Sequence, residues 1–397
     1  MSILRIRDIR LIVGAVGLSA FGDFLLWVPL ALHIEATTSS AFAVSAFFLA
    51  LFGPVVVLGG VAGRLADRIE NRRLLIVVSL AQAVTVAAMV LTTGSLGATL
   101  ALTVLLGVGN AIGQPAEFSL VPAAAGDQMA RANGVVEAAR YLGMAIGPIA
   151  GGALAAAGLL EVALLVDAAT FAAVALAAGR LRARRHGTGG KAPAREGFAY
   201  LTADPVLRLT LSAAVGALLF FSITIAAELF YVRDVLHASE TAYGLLVASW
   251  TLGMVLGAVG LARRVPPAKL AVAALAGVAV QGLGIAGAAA VPLLFAAFAG
   301  FTLGGIAHGV KNVVIRTLIH DRVPETLRGR AFAGYNAARN AAELGALGAA
   351  GVLIGAIGAQ PALLLAGAIP LAIGVAGLLF LTPTPTLRRT AHAALDA

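Results

Sequence analysis

The stretch that decides the fold is residues 63 to 73, which read Gly63-Arg64-Leu65-Ala66-Asp67-Arg68-Ile69-Glu70-Asn71-Arg72-Arg73. It separates two apolar runs in a chain of 397 residues that is 60% hydrophobic and only 12% charged, whereas an average soluble domain is about 25% charged. About 20 apolar residues cross the hydrocarbon core of a bilayer, and they must be helical because lipid offers no hydrogen-bond partners. The stretch is therefore predicted to be a short loop between two membrane-spanning helices.

Hydropathy along the rest of the chain predicts about twelve such spans. The first run resembles a signal peptide, but it lacks a small-residue cleavage site, and we interpret it as a retained helix. We predict an all-α membrane protein with twelve transmembrane helices in two pseudo-symmetric six-helix bundles. The predicted spans lie near residues 9 to 33, 41 to 62, 74 to 93, 98 to 121, 132 to 157, 159 to 179, 205 to 232, 241 to 262, 269 to 290, 291 to 319, 329 to 357 and 360 to 382.

The positions of the basic residues predict the orientation of the spans, because Lys and Arg accumulate in cytoplasmic loops. Of the 28 Lys and Arg, only Arg233 falls on the side opposite the N-terminus, and four fall within spans: Arg140, Lys311, Arg316 and Arg339. We therefore predict a multi-pass protein of the cell (inner) membrane with both termini cytoplasmic. Basic loops beside anionic headgroups account for the net charge of +9, and no nucleic-acid partner is expected.

A polar, basic stretch divides the spans six and six. The predicted domains are an N-terminal bundle at 1–180, a basic cytoplasmic linker at 181–204, a C-terminal bundle at 205–382 and a cytoplasmic tail at 383–397. The halves repeat in sequence, since Arg131 and Arg140 recur with the same spacing as Arg330 and Arg339. Such duplication predicts a central cavity between the halves.

The charged loop resembles a signature of the major facilitator superfamily, Gly-x-x-x-Asp-(Arg/Lys)-x-Gly-(Arg/Lys)-(Arg/Lys), which implies a twelve-helix transporter. The matching residues are Gly63, Asp67, Arg68 and Arg72. Glu70 stands where the signature has glycine, and Asn71 stands where it has a basic residue. The departure at Glu70 matters because glycine adopts positive φ at little cost and glutamate does not.

The resemblance also implies a cytoplasmic gate at this loop. Arg131 and Arg330 are predicted at helix starts, where the helix dipole disfavours a cation. We therefore predict a latch in which Asp67 closes against Arg330. The alternative is a loop that only fixes topology.

Residues 143–152 resemble the fifth-helix pattern Gly-x-x-x-Gly-Pro-x-x-Gly-Gly of proton-driven exporters in that superfamily. The alternative is ordinary close packing, since glycines four apart form a groove for a neighbouring helix. Residues 196–208 and 324–332 resemble the branch of enterobactin-type siderophore exporters and macrolide or tetracycline efflux proteins. The fourth-helix arginine motif of many drug/proton antiporters is missing from residues 102–113. The matching residues of the fifth-helix pattern are Gly143, Gly147, Pro148, Gly151 and Gly152.

Ionisable side chains at bilayer depth are functional candidates, because each costs at least about 2.5 kcal/mol. Two pairs stand three or four residues apart on shared helix faces, Glu137 with Arg140 and Arg339 with Glu343, and are predicted to form intramembrane ion pairs. Lys311 and Arg316 are expected to extend towards the cytoplasmic interface.

Asp23 and Glu228 have no such partner nearby in sequence, and burial favours a protonated carboxyl. They are the leading proton-coupling candidates, with Glu117 as the alternative. The structural interpretation of Asp23 and Glu228 is a protonated carboxyl bonded to a neighbouring helix. Aromatic residues predicted to contact a substrate in the cavity are Phe21, Trp27, Phe220, Phe221, Tyr231 and Trp250.

These features predict a secondary transporter that exports a hydrophobic or amphipathic, drug-like molecule in exchange for protons. The expected partners are the small-molecule substrate, protons and the lipid bilayer, with no cofactor or metal and a monomeric state. The alternatives are a siderophore or metabolite exporter, a proton-coupled nutrient importer, and a membrane receptor or lipid-flipping protein without ion coupling. An enzyme is not expected, because the six His are scattered and no nucleophile and base pair is evident.

Overall fold

The computed structural model describes residues 3–184 and 194–381, without the side chains of residues 66, 67, 127, 130 and 194–198. The regular structure of the described residues is helical, which confirms the predicted all-α fold. Eleven helical segments there are long and apolar enough to cross a membrane. The helix Met129–Ala156, with 28 residues and several internal charges, is a twelfth long segment of the described chain.

The first half consists of six helices joined by short loops. Side chains of Ser40 and Ser95 accept hydrogen bonds from the backbone of Ala43 and Ala98, which begins the second and fourth helices. The six helices are α1 (Arg7–Thr38), α2 (Ala41–Arg68), α3 (Asn71–Met89), α4 (Leu96–Ala125), α5 (Met129–Ala156) and α6 (Leu160–Arg180).

The second half follows a short linker helix, α7 (Ala194–Ala203). Its first span combines α8 (Pro205–Phe221), α9 (Thr224–Phe230) and a π-helical turn at Tyr231–Val235. The remaining helices are α10 (Glu240–Val255), which continues as a π-helical segment at Leu256–Leu261, then α11 (Leu270–Ala290), α12 (Leu294–Arg322), α13 (Glu325–Ile357) and α14 (Ala359–Phe380).

The two halves are packed alike, as their sequence repeat predicts. In the first half α1 packs on α5, α2 on α4 and α3 on α6, and in the second half α8 and α9 pack on α13, α10 on α12 and α11 on α14. A polar contact joins the corresponding pair of helices in each half. Gln82 of α3 donates to Asn110 of α4 at 2.7 Å, and Gln281 of α11 accepts from Lys311 of α12 at 2.7 Å.

We call the end of the molecule that holds the start of α1 and the linker the linker face, and the other end the opposite face. Near the opposite face one apolar core joins the halves, with residues from α1 and α2 and from α9, α10 and α13. Towards the linker face each half has its own core. The halves therefore meet at the opposite face and separate towards the linker face.

Glycines allow the close contact at the opposite face. Gly152 of α5 lies against Gly244 of α10, which in turn contacts the carbonyl oxygen of Pro148. Gly351 of α13 lies against the backbone of Phe42 on α2. A Cβ atom at any of these three glycines would overlap the backbone of the other half, so larger residues there would separate the helices.

Both ends of the linker are anchored to helices. Asp8 of α1 accepts hydrogen bonds from the backbone NH groups of Arg182 and Ala183 at 2.9 and 2.6 Å. At the other end, Asp204 caps the start of α8 and forms an ion pair with Arg322 of α12 at 2.8 Å. Each anchor holds the linker to the half that it adjoins.

Candidate functional site

The charged loop between α2 and α3 is tied to its own half by the two residues that depart from the signature. The Glu70 carboxylate lies 3.2 Å from Arg73 and 3.7 Å from Arg184. Its φ is −58°, so this position needs no left-handed conformation here. Asn71 donates a hydrogen bond to the Ser119 hydroxyl of α4. The chain therefore makes the turn between α2 and α3 without a glycine at position 70.

The predicted gate lies at the linker face. Arg72 donates to the carbonyl oxygen of Gly179 at 2.9 Å, which joins α3 to α6. The side chain of Asp67 lies outside the described residues, so its latch with Arg330 stays a prediction. The remaining gate candidates at this face are Gly63, Arg68 and Arg131.

The glycine pattern of α5 packs against two neighbouring helices, α1 and α10. Gly143, Gly147 and Gly151 face the backbone of α1, where a Cβ atom at any of them would overlap main-chain atoms. Pro148 and Gly152 face α10 of the other half. The pattern therefore joins the α1–α5 contact within one half to the contact that closes the opposite face.

Two cavities of about 230 and 180 Å³ lie between the helices, one centred on each half. Both are mostly apolar, and Phe24, Trp27 and Met144 line the two of them. They adjoin the shared core at the opposite face, on the side where the halves begin to separate. The two cavities thus form one site with two lobes, which we call the first and second lobes.

In the first lobe, Asp23 of α1 lies among polar residues of α4 and α5. The polar residues that line it are Asp23, Thr103, Asn110, Gln114 and Arg140. Among the described residues, no Lys or Arg nitrogen lies within 4.0 Å of the Asp23 carboxylate. The Asp23 side chain therefore lines the cavity without an ion-pair partner at that distance.

Arg140 is neutralised by two carboxylates. Its Nη2 atom lies 2.7 Å from Glu117 of α4, and its Nε atom lies 3.6 Å from Glu137. The guanidinium also lies 4.8 Å from the centre of the Phe118 ring. Sequence spacing pointed to Glu137, but the shorter contact is to Glu117, the alternative proton site.

In the second lobe, Glu228 of α9 is 8% exposed and faces an aromatic wall. Phe221 and Trp250 stack there with their ring centres 4.8 Å apart. Arg339 and Glu343 of α13 also line this lobe, although their charged groups are farther apart than the 4.0 Å of an ion pair. Within the described residues, Glu228 likewise has no cation within that distance.

A buried polar cluster lies beside the second lobe. Lys311 of α12 is 3% exposed, and its Nζ atom donates to Gln281 Oε1 at 2.7 Å. The His308 ring, which lines the lobe, lies 3.2 Å from the same oxygen. The expectation that Lys311 extends to the interface is therefore wrong, because an amide on α11 holds the ammonium group inside the bundle.

A third, polar cavity of about 390 Å³ lies between the second lobe and the linker face. Arg339 lines both this cavity and the second lobe, so the two are adjacent. We call it the vestibule, and it is lined by Asn312, Arg316, Phe332, Tyr335, Asn336 and Arg339.

Three of the six predicted aromatic contacts line the lobes: Trp27, Phe221 and Trp250. Phe24, which was not predicted, lines both lobes and stands three residues before Trp27 on the same helix face. The three-residue spacing from Trp27 was the sequence pattern that could have predicted Phe24 as a lining residue.

The other three aromatic candidates lie elsewhere. Phe21 and Phe220 are not among the lining residues of either lobe. Tyr231 is fully buried near the opposite face and donates to the carbonyl oxygen of Ala288 at 2.6 Å. Its hydroxyl therefore has a structural partner and does not face a cavity.

Asp167 of α6 is a fully buried carboxyl to which sequence reasoning gave no role. Its Oδ1 atom accepts from the Thr170 hydroxyl at 3.0 Å, and its Oδ2 atom has no hydrogen-bond partner among the described residues. It packs against Gly22, next to Asp23. Its position within an apolar span already made it a candidate by sequence, and the structure adds its place beside Asp23.

Both halves of the chain match the same family. The model for the Major Facilitator Superfamily matches residues 12–291 and again residues 209–395, which covers both halves. The chain belongs to the major facilitator superfamily. It is accordingly a multi-pass membrane transporter for small molecules and not an enzyme.

Two curated transporters are similar to this chain over most of their length. The uncharacterized MFS-type transporter YfiS of Bacillus subtilis (strain 168) is 25% identical over 400 residues, which cover 94% of this chain and 93% of the relative. The lysophospholipid transporter LplT of Serratia proteamaculans (strain 568) is 29% identical over 355 residues, which cover 86% and 87%.

Solved structures share the fold at lower identity. The nucleoside transporter NupG has a TM-score of 0.75 at 12% identity, with 93% of this chain and 99% of that chain covered. A bacterial homologue of the lysosomal transporter Spinster has a TM-score of 0.67 at 18% identity, with 94% of each chain covered. These structures show that the fold is shared, and the resemblance to siderophore and macrolide exporters stays a prediction.

Proposed function

We propose that this protein is a proton-coupled transporter that exports a hydrophobic or amphipathic small molecule by alternating access. The observation that carries the proposal is the pair Asp23 and Glu228. Asp23 lines the first lobe and Glu228 lines the second, which Glu343 also lines, and neither Asp23 nor Glu228 has an ion-pair partner within 4.0 Å among the described residues.

The position of these carboxyls suits proton exchange. A charge at bilayer depth is costly, so an unpaired carboxylate there gains from binding a proton or a cationic ligand. When the lobes face the other side of the membrane, the same carboxyls meet a different proton concentration. Proton binding on one side and release on the other would then be linked to the switch between states.

The shape of the protein suits alternating access. The glycine contacts close the opposite face, and the separate cores leave a space between the halves towards the linker face. We place the linker face in the cytoplasm, because the basic residues of the chain concentrate there. In this state a substrate would enter from the cytoplasm.

The lining of the lobes suits an apolar or amphipathic substrate. Its aromatic and aliphatic side chains supply few of the polar partners that a sugar or a free amino acid would need. Similarity to a lysophospholipid transporter supports the same class of substrate.

The proposal is tested with purified protein in liposomes under an imposed pH gradient, with neutral, cationic and anionic amphipathic fluorophores. We expect the gradient to drive accumulation of at least one fluorophore, and Asp23→Asn or Glu228→Gln to abolish that coupling. Glu161→Gln is the matched control, because Glu161 is exposed at the opposite face. Accumulation that ignores the gradient, or that survives in both cavity variants, would refute proton exchange.

The relative LplT favours a second candidate, the movement of lysophospholipids between leaflets without ion coupling. The same liposomes test it with a fluorescent lysophospholipid and no gradient. Protein-dependent movement that is equal in wild type, Asp23→Asn and Glu228→Gln would support this candidate over the exporter.

A further inference from the structure

The vestibule differs in charge from the matching region of the first half. There, Arg140 is held between Glu117 at 2.7 Å and Glu137 at 3.6 Å. By the internal repeat, Arg339 of α13 is the counterpart of Arg140 on α5. The surroundings of Arg140 and Arg339 can therefore be compared directly.

The carboxylates of the first half have no counterparts in the second. At the sequence separation that relates Arg339 to Arg140, the residue matching Glu117 is Arg316 and the residue matching Glu137 is Asn336. Arg316, Asn336 and Arg339 all line the vestibule. A cation and an amide thus replace two anions around the same arginine.

The positive charge of this region has no acidic partner at ion-pair distance. Within the described residues, no carboxylate oxygen lies within 4.0 Å of Arg316, Arg339 or Lys311. Lys311 donates instead to the neutral amide of Gln281. The acidic residue on the same helix face is Glu343, one turn beyond Arg339 towards the opposite face. An anion entering from the linker face would meet the arginines first.

Arg339 joins the vestibule to the second lobe, where Phe221 and Trp250 stack. We propose that the vestibule binds the anionic, phosphate-type head group of an amphipathic substrate, whose apolar part lies in the second lobe. The head group contacts Arg316 and Arg339, and the apolar part contacts the two aromatic rings. The inference deepens the proposed function, on which its role in transport rests.

The chemistry of guanidinium groups supports this assignment. Arginine binds phosphate oxygens through two parallel hydrogen bonds, which are charge-assisted and therefore strong. Asn312 and Asn336 add amide donors in the same cavity. A ligand with a phosphate at one end and an alkyl chain at the other satisfies both the charged vestibule and the aromatic lobe.

The two tryptophans of the chain offer a direct test, because each lines a lobe. Trp27→Phe leaves Trp250 as the reporter of the second lobe. In nanodiscs of zwitterionic lipid, lysophosphatidic acid with a brominated chain should quench Trp250 fluorescence. Arg316→Gln or Arg339→Gln should raise the half-quenching concentration on the order of tenfold, the loss expected for a hydrogen bond to a charged group.

The controls separate the charge from the chain. Arg264→Gln, at an exposed position of the linker face, should leave quenching unchanged. Brominated lysophosphatidylcholine, which has no net charge, should bind more weakly than lysophosphatidic acid. Arg339→Lys should retain part of the affinity, and an unchanged melting temperature would show that the glutamine variants fold.

Three results would overturn the inference. They are equal quenching by the two brominated lipids, wild-type affinity in both folded arginine variants, and protection by inorganic phosphate as effective as by unbrominated lysophosphatidic acid. The last result would assign the vestibule to a free anion. Because this binding test needs no pH gradient, its failure is distinguishable from a failure of proton coupling.

Discussion

Gly152 of α5 and Gly244 of α10 lie in direct backbone contact across the two halves, at the end of the molecule that is closed. No other residue type allows this approach, because a Cβ atom on either glycine would overlap main-chain atoms of the opposing helix. The contact therefore decides how tightly the opposite face is sealed.

We predict that Gly244→Val opens the opposite face. The chain has no cysteine, so Ser222→Cys, which lines the second lobe, provides a single reactive thiol. A membrane-impermeant maleimide added at the opposite face should label it on the order of ten times faster in the valine variant, since overpacking typically costs about 1–3 kcal/mol. Gly260→Val is the control, because open space surrounds Gly260. Equal rates in all three proteins would contradict the seal.

Loss of the Glu117 carboxylate should destabilise the first half. Glu117→Gln leaves the partly buried Arg140 without its closest partner, and we expect the free energy of unfolding to fall by about 2 kcal/mol. Glu137→Gln should cost less than about 1 kcal/mol, because that side chain is 41% exposed and its contact is longer, 3.6 Å. Melting temperatures in detergent give the ranking, and a larger effect from Glu137→Gln would refute it.

Glu117 shows where sequence reasoning stops. The spans, the two halves and the pair of Glu137 with Arg140 follow from local patterns of hydropathy and helix spacing. The contact between Glu117 and Arg140 joins two helices, and no spacing within one helix indicates it. Lys311 was misjudged for the same reason, since its acceptor Gln281 lies on another helix.

The aromatic candidates show a second limit. Hydropathy places Tyr231 in a span, but rotation of the helix about its axis decides whether the ring meets a cavity or a neighbour. A π-helical turn begins at Tyr231, which changes the direction of the side chains relative to a regular helix. Trp27 lines the lobes from a regular stretch of α1, whereas Phe21 in the same helix does not, so the face on which a ring lies decides the outcome even where the helix is regular.

Tyr231→Phe should therefore affect the stability of the protein, whereas Trp250→Ala should affect the KM for transport. Tyr231→Phe removes one buried hydrogen bond, to Ala288, and should lower the free energy of unfolding by about 1 kcal/mol with unchanged apparent KM for transport. Trp250→Ala removes part of the lobe wall and should raise KM. Transport assays beside melting curves measure both, and a raised KM in Tyr231→Phe would place that residue in the cavity after all.

The linker should loosen when Asp8 is replaced. Asp8→Ala removes the acceptor for the backbone NH groups of Arg182 and Ala183, and two charge-assisted hydrogen bonds are lost together. Limited trypsin digestion should then cut at the linker arginines at least about tenfold faster, since even one bond to a charged group contributes about 1.5–3 kcal/mol. Asp321→Ala, at an exposed position of α12, serves as the control. Identical digestion rates would show that the anchor does not hold the segment.

The unequal cores of the two ends imply that different forces hold the two states of the transporter. In the present state an apolar core seals the opposite face. The other end carries exposed basic side chains such as Arg68 and Arg131, and we predict that a state sealed there relies on attraction between opposite charges. Ionic strength weakens such attraction, and a kosmotropic salt such as sulfate also strengthens apolar association. Concentrated sulfate should therefore favour the conformer seen here, and dilute buffer its counterpart.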